Sequence, residues 1–129
     1  MLVNTTDPYD GVRPLDFNNG EHTTRFEVTA SDEWRIEALP ITSARILTVP
    51  GSIEGNGDDV IFVEGATPDL AKIKGNAESR FFAVKSYGKS SNLLVNTTDP
   101  YEGTVIVSGD TVILEIQAAG NWSIEITAK

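Results

Sequence analysis

One stretch of the chain decides the fold: Leu114-Glu115-Ile116-Gln117-Ala118-Ala119-Gly120-Asn121-Trp122-Ser123-Ile124-Glu125-Ile126. Apolar and polar residues alternate along it, and the alternation is interrupted by a turn at Ala119-Gly120-Asn121. Successive side chains of a β-strand point to opposite faces, so this period of two is typical of strands buried on one face. The stretch therefore predicts a β-hairpin that places Trp122, Ile124 and Ile126 in the core.

The same pattern occurs once more, nearer the N-terminus. Residues 26–37 align with residues 114–125, so that Trp34 corresponds to Trp122. We expect the first copy to form a hairpin of the same kind, with both indole rings in the core or at its edge.

The duplication is nearly exact further upstream. Leu2-Val3-Asn4-Thr5-Thr6-Asp7-Pro8-Tyr9-Asp10-Gly11 and Leu94-Val95-Asn96-Thr97-Thr98-Asp99-Pro100-Tyr101-Glu102-Gly103 differ only where one carboxylate replaces another. The first copy also carries four extra residues around residues 15–21. We interpret the chain as a single domain over residues 1–129, with a partial internal repeat of residues 2–39 in residues 94–127.

Between the copies lie short segments rich in Val, Ile and Phe, each followed by Gly, Pro or Asn turn residues. They are residues 44–49, 60–64, 70–74, 80–86 and 93–96. Short strands at this spacing predict an all-β, antiparallel β-sandwich, jelly-roll-like, that contains the duplicated hairpin. The helical content expected is a single turn near residues 67–71.

Composition excludes several kinds of partner. A chain of 129 residues fits one ordinary domain, and its net charge of -9 opposes binding to nucleic acid or anionic lipid. It has no cysteine, which excludes disulfides and thiolate metal sites. Its longest apolar runs are far shorter than the ~20 residues of a membrane span. We therefore expect no nucleic-acid partner and no membrane insertion by this segment.

A spaced pattern in the C-terminal part resembles a known module. It consists of Gly55-Asn56-Gly57-Asp58-Asp59-Val60, Arg80–Lys85, Asn92-Leu93-Leu94-Val95-Asn96, Tyr101-x-Gly103 and Leu114-Glu115-Ile116-x-Ala118-x-Gly120-x-Trp122-Ser123-Ile124. This pattern is similar to that of an all-β module of bacterial surface and membrane-anchored proteins, to which we assign no activity. The resemblance implies a β-sandwich and an extracellular or cell-surface location.

Two placements of residues 1–40 follow from the duplication. In the first, the N-terminal hairpin completes a single sandwich, because an isolated hairpin is marginal in water. In the second, residues 1–40 pair with a neighbouring chain and occupy the equivalent groove there, which gives strand exchange or head-to-tail assembly.

The repeated Asn-Thr-Thr-Asp-Pro-Tyr-x-Gly segment is the first candidate site. Asp7 and Asp10, with their counterparts Asp99 and Glu102, offer the oxygen ligands that calcium requires, and Asp58 lies in a second Gly- and Asp-rich loop. The alternative interpretation is turn formation: Asn and Thr bond to nearby backbone, Pro fixes φ, and Tyr packs over the corner. On that interpretation no cofactor is needed.

Exposed aromatic rings are the second candidate, because they are the usual platforms of a glycan-binding sandwich. Tyr87, Tyr9 and Tyr101 are the candidates for this role, with packing as the alternative. Catalytic residues are scarce: His22 is the single histidine and has no nucleophile motif to accompany it. The sequence thus predicts a non-catalytic surface or secreted module with a structural or interaction role, and strand-mediated self-assembly is one form that role could take. The alternative is a carbohydrate- or calcium-dependent ligand-binding domain.

Overall fold

The computed structural model describes residues 1–17 and 20–129, and the strands found in these ranges all lie between residues 45 and 128. They are β1 (Arg45–Val49), β2 (Gly51–Asn56), β3 (Asp59–Gly65), β4 (Pro68–Gly75), β5 (Phe82–Tyr87), β6 (Ser91–Thr97), β7 (Tyr101–Ile106), β8 (Ile113–Ala118) and β9 (Asn121–Ala128), and a short 3₁₀ turn at Ile41–Ser43 precedes them.

The strands form two stacked sheets. The larger sheet has the order β1-β3-β8-β5-β6, and the smaller has the order β2-β9-β4-β7. Neighbouring strands are antiparallel except β1 and β3, which are parallel. The exception has a simple cause: β2, the strand between them in the chain, lies in the other sheet, so β3 returns in the direction of β1. The predicted β-sandwich is confirmed.

The core lies between the two sheets, and the larger side chains in it are aliphatic and aromatic. Its buried members are Leu47, Val49, Ile61, Val63, Ala71, Ile73, Phe82, Val84, Val95, Val107, Leu114, Ile116, Trp122, Ile124 and Ile126. They alternate with outward-facing residues along most strands, as the period of two requires.

The last two strands form an arch that crosses from one sheet to the other. β8 pairs with β3 and β5 in the larger sheet, whereas β9 pairs with β2 and β4 in the smaller one. We call β8 and β9, with the turn between them, the C-terminal arch. The predicted hairpin is wrong in this respect: the two strands face each other across the core and are not hydrogen-bonded to each other. A hairpin and an arch both turn the apolar side chains of β8 and β9 towards one core, so the sequence pattern is compatible with either arrangement.

Trp122 occupies a space that Gly55 leaves open. Gly55 on β2 and Gly75 on β4 are its register partners on either side. A Cβ built on Gly55 would lie 2.5 Å from the indole ring. The indole Nε1 donates a hydrogen bond to the Gly57 carbonyl oxygen at 2.9 Å. The position of Trp122 is therefore fixed by strand pairing on both sides, by packing of its ring against Gly55 and by a satisfied polar atom.

Trp34 lies outside the core, so the prediction for this residue is wrong. Its side chain is 61% exposed, against 3% for Trp122, and Phe26 is 43% exposed. Within residues 1–17 and 20–40 the structure contains no strand. The physical reason is that the C-terminal arch already fills the central position in both sheets, between β3 and β5 in one and between β2 and β4 in the other. We call this position the slot.

Two further differences concern single elements. The helical turn expected near residues 67–71 is wrong: β4 runs through it, and pairing with β7 and β9 on both sides overrides the local turn propensity. The strands β2 and β7 are additional to the predicted ones. The glycines within both strands hid the strand signal.

Candidate functional site

A segment of the N-terminal copy crosses the outer face of the larger sheet. We call residues 9–17 the strap. The Val12 amide donates to the Asp58 carbonyl oxygen at 3.2 Å, which joins the strap to the start of β3. Val60 and Ala83 alternate with core residues and so face outward, yet both are buried. Their burial is explained by the strap, which covers this face.

The centre of the strap is an ion pair that is itself largely buried. Arg13 Nη1 lies 2.9 Å from Glu115 Oε2, and the side chains are 13% and 9% exposed. The other oxygen of Glu115 accepts a hydrogen bond from the Tyr87 hydroxyl at 2.6 Å. With its amide oriented so that both groups are satisfied, Gln117 accepts from Arg13 Nη1 and Nη2 at 3.2 and 3.1 Å. Two outward side chains of β8 thus hold one guanidinium.

The two ends of the strap are held by aromatic residues. The Tyr9 hydroxyl donates to Asp58 Oδ2 at 2.7 Å, while Asp58 Oδ1 accepts from the Ala118 amide at 2.9 Å. At the other end, Phe17 packs edge-on against Tyr87 with ring centroids 5.5 Å apart. Edge-to-face geometry of this kind is favourable beyond the apolar area it buries.

Both hydroxyls at these contacts resist ionisation. Partial burial, followed by the hydrogen bond to Asp58 and its negative charge, raises the pKa of Tyr9. Partial burial, followed by the hydrogen bond to Glu115, raises the pKa of Tyr87 in the same way. A phenolate in either place would face a carboxylate without a proton between them.

Alkaline pH is therefore expected to release the strap. Above about pH 10, the ordinary pKa of tyrosine, the undocked strap loses the Tyr9 proton while the docked strap must keep it. The contribution of the Tyr9 hydroxyl to docking is fully present below that pH and is lost as pH rises further. A near-ultraviolet titration of phenolate absorbance should show that Tyr9 and Tyr87 ionise at higher pH than free tyrosine. The amplitude of this late phase should fall by one tyrosine in the Tyr9→Phe chain, and by one tyrosine in the Tyr87→Phe chain.

The control for this titration is Asp58→Asn, which should make Tyr9 ionise earlier and leave Tyr87 unchanged. Identical titration curves for the parent chain in its native and denatured states would contradict the strap contacts.

The repeated motif has the same local structure in both copies. The backbone amides of Asp7 and Asp99 each donate a hydrogen bond to the threonine hydroxyl two residues earlier, that of Thr5 or Thr97, at 3.0 Å in both cases. In each copy the tyrosine hydroxyl also lies over the glycine two residues later. Local turn chemistry therefore determines this motif, since its tertiary surroundings differ between the copies.

The predicted metal ligands do not converge in the described part of the chain, where no three His, Asp or Glu side chains form a group able to hold an ion. Asp7 lies 3.5 Å from the Arg80 guanidinium, and Asp58 binds Tyr9 and Ala118. Asp10 is exposed in the strap. Asp99 and Glu102 lie at the β6–β7 turn and on β7, respectively. Calcium binding stays a prediction.

The predicted aromatic platforms are engaged in packing. Tyr9 and Tyr87 belong to the strap contacts, and the Lys85 ammonium lies 5.2 Å from the centre of the Tyr87 ring. Tyr101 packs beside Phe82, with ring centroids 6.5 Å apart. His22 is exposed. Glycan stacking by the three tyrosines stays a prediction.

A second surface is formed by the first copy itself. We call residues 25–38 the N-terminal arch. The chain bends at Ser31 and Asp32, and one hollow of about 380 Å³ is lined by apolar side chains from both limbs. They are Phe26, Val28, Trp34, Ile36 and Ala38. The corresponding residues of the C-terminal arch are Leu114, Ile116, Trp122, Ile124 and Ile126, and all are buried.

The polar side of the N-terminal arch carries two ion pairs and two further acidic residues, Asp32 and Glu33. Arg25 pairs with Glu27 at 3.9 Å, and Arg35 pairs with Glu37 at 2.9 Å. All four side chains are at least half exposed, so these pairs contribute little to stability. Residues 25–38 hold two arginines and four acidic residues, a net charge of -2, so two such arches repel each other weakly and their apolar contacts must outweigh that repulsion.

The strap was not identified from the sequence, although a signal was present. Arg13 stands where the second copy has Val105, a residue packed against the core, and Pro14 stands where it has Ile106. An arginine in a core-facing place and a proline in a paired strand both oppose a second β7. The partner Glu115 is too remote in sequence to be inferred.

Comparison with known proteins gives a likeness in fold. The chain matches no protein-family model and no curated protein. Among solved structures it is similar to the pre-peptidase C-terminal domain of a collagenase from Bacillus anthracis, with a TM-score of 0.51 and 11% sequence identity. The match covers 70% of this chain and 100% of that one. At this identity the likeness supports the β-sandwich fold alone.

A search of the described residues for membrane-spanning segments found no helix with the required length and hydrophobicity.

Proposed function

We propose that this chain is a non-catalytic β-sandwich module of a bacterial surface or secreted protein, and that it acts by protein–protein association through its N-terminal arch. The sandwich fold and the resemblance of residues 55–124 to a surface module support the general class. We favour protein association over ligand binding because the N-terminal arch exposes apolar side chains.

One observation carries the proposal: the same apolar pattern is buried in one copy and exposed in the other. Trp34 and Ile36 are 61% and 47% exposed, whereas Trp122 and Ile124 are 3% and 1% exposed. Contiguous exposed apolar surface of this kind marks an interaction site in soluble proteins. Strand-forming segments without paired edges also attract further strands.

The number of slots indicates which partner the arch takes. Each chain has two arches and one slot between its sheets. If the N-terminal arch entered the slot of a second copy, it would displace that copy's own C-terminal arch, and the exposed apolar area would stay the same. Pairing between the N-terminal arches of two copies displaces nothing and covers both apolar faces. Self-association between these arches is therefore the favoured form.

The double substitution Trp34→Ser with Ile36→Ser is expected to abolish association. Each large side chain contributes about 1.5–3 kcal/mol when fully buried, so the association constant should fall at least about a hundredfold. Sedimentation velocity over a range of protein concentrations measures it. A parent chain that stays monomeric at the highest concentration would contradict the proposal.

Ile106→Ser is the matched control for this experiment. Ile106 is 78% exposed, more than Trp34, but it lies on β7 of the sandwich and not on the N-terminal arch. If general surface hydrophobicity drove association, this variant would lose it as well. The proposal expects it to associate like the parent chain.

A further inference from the structure

The outer face of the larger sheet holds the strap by groups that the sandwich itself keeps in place. Glu115 lies on the central strand β8 and is oriented by the Tyr87 hydroxyl at 2.6 Å. Asp58 is fixed by the Ala118 amide at 2.9 Å. Neither contact involves the strap, so the receptor groups are preorganised for whatever segment occupies the face.

The strap contributes three side chains at regular spacing. Tyr9 binds Asp58, Arg13 binds Glu115 and Gln117, and Phe17 packs on the Tyr87 ring. An arginine held by a carboxylate and an amide oxygen is a charge-assisted, directional contact. The face therefore selects an extended segment with the pattern aromatic-x₃-Arg-x₃-aromatic.

The sequence of the strap differs from the corresponding segment of the second copy at Arg13 and Pro14, and both differences favour binding to the outer face over strand pairing. Residues 2–11 repeat residues 94–103 almost without change, yet the match ends just before Arg13 and Pro14. In the second copy the corresponding Val105 packs against the core, and Ile106 pairs in register with Leu70. Arginine and proline oppose both of those roles, and Arg13 instead binds Glu115.

We propose that this outer face, centred on Glu115, is a binding site for an arginine-bearing extended segment, and that the site of one copy takes the strap of a second copy. Exchange conserves every strap contact, which is the usual condition for low-cost swapping. Residues 18–44 connect the strap to β1. Intramolecular docking dominates in dilute solution because the strap is tethered at high effective concentration. Exchange between copies becomes important as protein concentration rises.

The test uses two full-length charge variants in a background that cannot associate through the N-terminal arch, with Trp34→Ser and Ile36→Ser. One variant carries Arg13→Glu and the other carries Glu115→Arg. Within each variant the strap and the receptor carry like charges, so intramolecular docking is opposed. In a mixture, each strap faces an oppositely charged receptor on the other chain.

We expect each variant alone to be monomeric and the mixture to form a one-to-one complex by sedimentation velocity. A chain with both substitutions, which restores opposite charges within one molecule, is the control for folding. If both variants fold and their mixture stays monomeric, exchange between copies is overturned. Because the N-terminal arch is disabled in this background, the result is independent of self-association through it.

A second measurement leaves the receptor unchanged, in case Glu115→Arg prevents folding. The Arg13→Glu chain has its own strap repelled but keeps Glu115. A synthetic peptide of residues 7–17 should bind it, and the same peptide with Arg13→Ala should bind at least about tenfold more weakly, since a hydrogen bond to a charged group contributes about 1.5–3 kcal/mol. Equal binding of the two peptides, or binding of neither, would overturn the proposed site.

Discussion

Replacing Trp122 with alanine is expected to lower the free energy of unfolding by about 3–5 kcal/mol, the usual cost of removing a fully buried large aromatic side chain. The loss has three sources: the apolar area of the ring, the cavity left beside Gly55, and the unpaired carbonyl of Gly57. Chemical denaturation followed by circular dichroism measures the change.

Trp34→Ala is the matched control, because it makes the same chemical change at the equivalent position of the other copy. With its ring 61% exposed, the free energy of unfolding should change by no more than about 0.5 kcal/mol in dilute solution. Equal costs at the two positions would mean that both arches contribute to one core, contrary to this structure.

Gly55→Ala is expected to lower the free energy of unfolding by about 1–3 kcal/mol, although it adds one methyl group. The new Cβ would lie 2.5 and 2.9 Å from atoms of the Trp122 ring and 3.0 Å from the Arg45 guanidinium. The backbone of Trp122 is paired with β4 and its ring is held by the hydrogen bond to Gly57, so the ring cannot move away freely. Thermal and denaturant unfolding should agree on the loss.

Gly120→Ala tests whether loss of a glycine alone explains that result. Gly120 lies in the turn of the C-terminal arch, and a Cβ built there meets no atom within 4 Å. Its substitution should leave the free energy of unfolding within about 0.5 kcal/mol of the parent value. A penalty similar to that of Gly55→Ala would show that backbone freedom, and not the space beside Trp122, is the cause.

Alternation along the chain predicted the sandwich and most of its strands, because period two depends only on which face of a strand is buried. It could not decide between a hairpin and an arch. In both arrangements Leu114 and Trp122 face the same core, and only the hydrogen-bond partners differ. The partners of β8 and β9 are remote in sequence, and local pattern carries no information about them.

The prediction that Trp34 is buried was wrong for a different reason. Two copies with the same pattern have the same local preference, but burial also requires flanking strands. β2 and β4 pair with the strand of Trp122 on either side, and Gly55 on β2 makes room for its ring. In the described part of the chain no strand pairs with residues 25–38. Sequence similarity between copies therefore predicts a common arch motif and does not predict a common environment.

The candidate sites show the same division between local and tertiary information. The turn interpretation of the repeated motif followed from Asn and Thr chemistry, and its threonine part is matched by the hydrogen bonds from the Asp7 and Asp99 amides to the Thr5 and Thr97 hydroxyls. The strap depends on Arg13 and Glu115, which lie far apart in the sequence. Only the interruption of the repeat after Gly11 marked that segment as different.

The most direct test of the account is the solvent exposure of each tryptophan, measured separately in Trp122→Phe and Trp34→Phe chains. Acrylamide quenching of the remaining indole, recorded from dilute to concentrated protein, gives that exposure. The account predicts that Trp122 is shielded at every concentration, and that Trp34 is freely quenched when dilute and becomes shielded as the arches of two copies pair. Shielding of Trp34 in the dilute monomer would contradict the account, because the first copy would then share the core of its own sandwich.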